Sequence, residues 1–179
     1  MTRRILEWTA LAGLIALWVY ECLVLLQPEL RFTADSERDM FYIMGLSNFG
    51  IVPADGIRMA ALGIDLGPLY FALVAPINAI WPSPQAIHLF NVTLGVFGLV
   101  AFWAWLRGEI GVIGAFIGCI AYTQSAAHIA MIDTIWHVGA TPGVVLGMFG
   151  AMGYWARTGR RWALVAGGVL LAVLVQFHA

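Results

Sequence analysis

From Ile5 to Gln27 the chain is apolar, interrupted only by the charges of Glu7 and Glu21. A bilayer core takes roughly 20 apolar residues of α-helix, so this stretch alone points to a helix that crosses a membrane. The pattern returns at residues 86–106, 110–128, 138–156 and 162–178. Of all residues 61% are hydrophobic and 11% charged, and the mean hydropathy is +0.87. Soluble domains carry roughly 25% charged residues. The expected fold is therefore an all-α integral membrane protein, one transmembrane domain with about five transmembrane helices. The net charge of −1 leaves no basic footprint for nucleic acid.

Arg3 and Arg4 precede the first apolar run. A signal peptide opens in the same way, but its apolar core spans about 7–15 residues and a small-x-small cleavage site follows. Residues 5–27 exceed that length and lack such a site, so they are expected to stay as an uncleaved first helix. The placement of arginine orients the rest. With the N-terminus cytoplasmic, Arg3, Arg4, Arg107, Arg157, Arg160 and Arg161 lie inside and Arg31, Arg38 and Arg58 outside. Residues 28–85 then form a long extracytoplasmic loop. Within it, residues 66–81 are apolar but short and carry Pro68 and Pro76. That predicts an amphipathic or re-entrant helix rather than a crossing. Gly50, Pro53, Asp55, Gly56 and Gly63 mark turns before it, and Trp81-Pro-Ser-Pro84 stops it. Trp103 and Trp105 read as boundary anchors, and Arg107-Gly-Glu109 as a tight turn. Cys22 and Cys119 lie in apolar segments and read as small buried hydrophobes.

The densest charge lies at Phe32 to Gly45, FTADSERDMFYIMG. A helix over 36–46 sets Asp35, Arg38 and Asp39 at i, i+3 and i+4, on one face. Met40, Phe41, Ile43 and Met44 then form an apolar side suited to a membrane surface. Two carboxylates and a guanidinium together can hold a divalent metal, take a proton from a hydroxyl or bind a phosphate. The competing reading makes Asp35 or Ser36 a helix N-cap and the other charges, Glu37 among them, a solvated face. His128, Asp133 and His137 accumulate further on. The step of five from His128 to Asp133 does not repeat on one helical face, which argues against a shared metal. The sequon at Asn91 lies in an apolar segment and is discounted.

Four stretches resemble one family. Asp35-Ser-Glu-Arg38-Asp39, following one span, looks like the Asp-x-x-Arg pattern that opens the first outer loop of GT-C superfamily glycosyltransferases. These polytopic enzymes are related to protein O-mannosyltransferases and the aminoarabinose transferase of lipid A. Gly67-Pro-Leu-Tyr-Phe71 with Ala75-Pro76 is similar to their GPLYY…AP stretch. Ile135-Trp-His137 with Pro142 is close to their IWNP-like stretch, with His137 where Asn is usual. Val175-Gln-Phe-His178 is close to their LQLH. The likeness covers the N-terminal half of such enzymes, which have roughly twice as many spans.

The resemblance implies transfer of a sugar from a polyprenyl-phosphate donor to an acceptor on the extracytoplasmic side of a bacterial-type inner membrane. Asp35 matches the general base and Arg38 the arginine that binds the donor phosphate. Asp39, Glu37, His137 and His178 are auxiliary or metal-ligand candidates. The rival expectation is a catalytically silent structural or accessory subunit that works with other membrane protein subunits. A transporter is less well supported, for the chain has no inverted repeat.

Overall fold

The computed structural model describes residues 2–25, 31–53, 58–59, 64–65 and 67–177. These residues are overwhelmingly helical. Helix α1 spans Thr2–Tyr20 and ends in a π turn, Glu21–Leu25. Helix α2 spans Ala34–Phe49. A two-stranded antiparallel ribbon, β1 (Arg58–Met59) and β2 (Ile64–Asp65), precedes α3 (Leu69–Ile80). Then come α4 (Pro84–Thr123), α5 (Ala126–Ile132), a 3-10 turn (His137–Ala140), α6 (Thr141–Thr158) and α7 (Arg161–Phe177). Among the described residues, two helical stretches, Arg4–Val24 and Pro84–Thr123, are long and apolar enough to cross a membrane.

Local chemistry sets the helix ends. Thr33, not Asp35 or Ser36, is the N-cap of α2. Its hydroxyl accepts from the Ser36 N–H, and the Ser36 hydroxyl accepts from the Thr33 N–H, a reciprocal capping box. Asp35 is thereby relieved of capping. Gly50 closes α2 in the left-handed region at φ 65°, where only glycine is unstrained. Ser83 caps α4, with Pro84 in its first turn. That leaves Trp81 to Ser83 as the break between α3 and α4, as the Pro-rich stretch predicts. The β ribbon was not legible in the loop composition.

Helix α4 is two limbs. Gly111 has φ 75° and ψ 178°, and the chain folds back there. Trp103 meets Phe116 at 6.1 Å and Phe102 meets Tyr122 at 6.1 Å. The turn expected at Arg107-Gly-Glu109 therefore falls at Gly111, because the first limb stays helical through all three of those residues. Trp103 also departs from expectation. It is 1% exposed and packs, tilted, against Trp8 at 5.1 Å, so it is core and not a boundary anchor. Trp105 is half-buried and stacks on Phe149.

The first limb of α4 is the axis. Helix α1 runs antiparallel to it, tied by Glu7–Arg107 at 2.5 Å near one end and by His88 to the Cys22 carbonyl at 2.9 Å near the other. Helix α6 packs alongside it through glycines: an added Cβ on Gly98 would strike the Gly143 backbone, and one on Gly150 would strike Ala101. Helix α7 returns along α6. Two apolar clusters result. Leu11, Trp18, Leu99, Trp103, Cys119 and Leu146 fill one. Ile43, Tyr70, Phe71, Val74, Ile135 and Phe177 fill the other, under α2 and α3. Cys22 and Cys119 are free and buried.

This packing yields a direct test. An added Cβ on Gly143 would sit 2.5 Å from the Leu94 backbone, whereas Gly13 and Gly168 have nothing within 4 Å. Gly143→Ala should lower thermal stability by about 1–3 kcal/mol through overpacking. Gly13→Ala and Gly168→Ala should raise it by up to about 1 kcal/mol through helix propensity. Equal shifts in thermal unfolding for all three would refute the close approach of α4 and α6.

Candidate functional site

Helix α2 delivers Asp35, Arg38 and Asp39 on one face, as their spacing predicts, and the tertiary fold then treats them differently. Asp39 is 1% exposed. Its Oδ2 accepts from the His137 backbone N–H at 2.9 Å and from His137 Nδ1 at 2.7 Å. Its Oδ1 accepts from Arg38 Nη2 at 3.0 Å. The other terminal nitrogen of Arg38, Nη1, donates to Asp35 Oδ1 at 2.8 Å. The result is a chain of charge, His137–Asp39–Arg38–Asp35, that begins buried and ends half-exposed at Asp35. Because a carboxylate only accepts, Nδ1 of His137 must carry the proton, and Nε2 is left facing away from Asp39.

A polar floor lies beside this chain. The Tyr70 hydroxyl donates to Asn91 Oδ1 at 3.2 Å, and Asn91 Nδ2 donates to the Trp136 carbonyl at 2.9 Å. Tyr70 is fully buried, its ring edge-on to His137 at 6.1 Å and to Phe177 at 5.3 Å. Burial first, then the Asp39 carboxylate, push the Tyr70 hydroxyl well above the ordinary phenol value. It therefore remains a protonated donor. An added Cβ on Gly67 would collide with Gln176, so the start of α3 sits against the end of α7. All four stretches that carry the resemblance thus meet at one end of the bundle: Asp35–Asp39, Gly67–Phe71, Ile135–His137 and Val175–Phe177.

Two N–H groups here, Arg38 Nε and Trp136 Nε1, are buried without an acceptor among the described residues. Tyr70, Asn91 and Trp136 are the contributors that sequence reasoning did not assign to the site. Asn91, discounted as a sequon, is 1% exposed and bonded inward. An Asn in an apolar run that has no other evident use was the one available signal.

The other candidates scatter. Glu37 is exposed and has no side-chain partner among the described residues. His178 lies outside the described residues, as does Asp55. His128 leaves His137 altogether: its Nε2 accepts from Trp18 Nε1 at 3.1 Å, beside Tyr122. Asp133 pairs with Arg31 at 3.2 Å, where Arg31 and Thr134 form a short parallel bridge. Among the described residues no three His, Cys, Asp or Glu side chains converge as metal ligands. The apolar side expected of α2 also divides. Ile43 is buried in the core, whereas Phe41 is 74% and Met44 45% exposed.

The burial gradient predicts unequal costs. Asp39→Asn removes the charge that Arg38 and His137 share, and breaking a buried pair costs about 3–5 kcal/mol. Asp35→Asn opens a half-exposed pair worth under about 1 kcal/mol, and Glu37→Gln should fall within about 0.5 kcal/mol of wild type. Thermal unfolding of the three variants checks that order, and an equal loss for Asp35→Asn and Asp39→Asn would contradict it.

Comparison with protein-family models, with curated proteins and with solved structures finds no match to this chain.

Proposed function

We propose that the chain is embedded in a membrane and acts as a glycosyltransferase module of the GT-C type, using a polyprenyl-phosphate sugar as donor. Embedding is supported by the apolar surface. Ile113 (77%), Phe97 (70%), Val165 (64%) and Ile117 (63%) stand exposed on α4 and α7, where lipid tails are as apolar as the side chains themselves. In this reading five segments cross: α1, the two limbs of α4, α6 and α7. The N-terminus is cytoplasmic in this reading, and the α2 site faces the extracytoplasmic side.

The observation that carries the reading is the Asp35–Arg38 pair at the exposed end of a buried charge chain. Arg38 is held from behind by Asp39, whose other oxygen is fixed by His137. That anchor is buried and costly to break. The contact in front, to Asp35, is weak and half-exposed. An incoming phosphate therefore displaces Asp35, not Asp39, and takes the charge-assisted hydrogen bond of Arg38 Nη1. Released from Arg38, the Asp35 carboxylate becomes the acceptor for a hydroxyl proton. Tyr70 and Asn91 brace His137 and Trp136 beneath. No step in this scheme is assigned to a metal, and Asp39 is a positioning residue in it.

The alternative is a silent accessory subunit of a larger membrane complex. One feature favours it: both oxygens of Asp39 and both terminal nitrogens of Arg38 are already paired within the chain.

Native mass spectrometry in mild detergent with added polyprenyl phosphate separates the two. The transferase reading expects retained lipid, a loss of at least about tenfold in Arg38→Ala for removal of a charge-assisted contact, and abolished sugar transfer in a well-folded Asp35→Asn. Equal retention by wild type and Arg38→Ala, together with co-purification of a stoichiometric larger partner, would decide for the accessory subunit.

A further inference from the structure

The opposite end of the bundle carries a second cluster that the proposed chemistry does not use. Arg4, Arg107 and Arg157 line a cavity of about 420 Å³ together with Glu7, within the range of roughly 300–1,000 Å³ typical of small-ligand sites. Three guanidiniums face one carboxylate there. Glu7 takes Arg107 at 2.5 Å, which leaves two positive charges in excess. Arg107 is further held over the Trp103 ring at 5.4 Å, and its Nε is buried with no acceptor among the described residues. Arg157 lies over Tyr154 at 5.7 Å and fills the space above Gly108, where any Cβ would collide with it. Arg4 and Arg157 stand exposed at the rim of the cavity, and Arg107 is half-buried in its wall.

An apolar groove of about 380 Å³ adjoins this cavity, bounded by α4, α6 and α7. Ala104 lines both spaces. Tyr154 lines the groove while the Arg157 stacked on it lines the cavity. Along α4 the groove extends from Leu94 to Trp105, roughly 16 Å at 1.5 Å per residue. That is about half of a bilayer core roughly 30 Å thick, the depth of one leaflet.

We infer that this end of the bundle binds an anionic phospholipid of the inner leaflet, its phosphate on Arg107 and Arg157 with Arg4 closing over it, and one acyl chain in the groove. Charge complementarity selects an anionic headgroup, and the adjoining one-leaflet groove selects a lipid over a free anion. The inference rests on the membrane-embedded, N-terminus-cytoplasmic part of the reading above and not on its sugar chemistry.

The test uses full-length protein in mild detergent, titrated with phosphatidylglycerol or phosphatidylcholine and followed by native mass spectrometry. Wild type should retain one phosphatidylglycerol in preference to phosphatidylcholine. Arg4→Gln/Arg157→Gln should weaken that retention by about thirtyfold, roughly five- to sixfold per arginine, with thermal unfolding of the lipid-free variant confirming an intact fold. Excess inorganic phosphate should leave the lipid bound. Equal retention of the two lipids, an unaffected double variant, or displacement by phosphate alone would each overturn the inference, the last by making this a soluble-anion site. Alkaline carbonate extraction of membranes scores embedding separately. Release of the protein would remove the membrane reading and this inference with it. Retention without lipid preference would remove this inference alone.

Discussion

One carboxylate joins the two parts of the chain that build the site. Asp39 sits on α2, in the long connection after the first helix, and its partner His137 begins the turn into α6, 98 residues further on. Both a backbone N–H and a ring nitrogen of His137 converge on one Asp39 oxygen, while Arg38 takes the other. An ion buried this deeply is tolerated only when its lone pairs are filled. Filling them requires α2 to lie across the end of the bundle and the His137–Ala140 turn to present its first N–H towards it. The floor of Tyr70, Asn91 and Trp136 then follows from the space left between them.

A second constraint holds the scaffold under the site. The first limb of α4 and helix α6 approach closely enough that Gly98, Gly143 and Gly150 leave no room for a methyl group. Small residues at a helix–helix contact bring the backbones together and let the two helices pack closely. This contact orders the bundle along its length. It also leaves the groove beside α7, since glycine and alanine remove bulk on that face too. Close packing and the groove have the same origin in small residues.

The two ends of the bundle differ electrostatically. The α2 end holds carboxylates and guanidinium interlocked with buried polar groups, with its weakest link, Asp35–Arg38, outermost. The other end gathers arginines in excess of acid around an open cavity. Arginine suits both settings because it keeps its charge when partly buried and presents a planar fork to oxyanions.

Much of this was legible in local pattern. The apolar runs predicted the helices that bound α1, α4, α6 and α7. The i, i+3, i+4 spacing put Asp35, Arg38 and Asp39 on one face, because helical periodicity depends only on neighbours in sequence. Proline and glycine marked the ends of α2 and α3 for the same reason. What depended on distant partners was not legible. Nothing local distinguishes Asp39, buried on His137, from Asp35, left half-exposed. Nothing local sends His128 to Trp18 and His137 to Asp39, turns the α4 hairpin at Gly111 and not at Gly108, or draws Trp103 into the core. Those outcomes are set by which surfaces meet once the helices pack, and an unpaired buried charge costs enough that the meeting of α2 with the His137 turn, not the spacing along the chain, decided which residue became the anchor of the site.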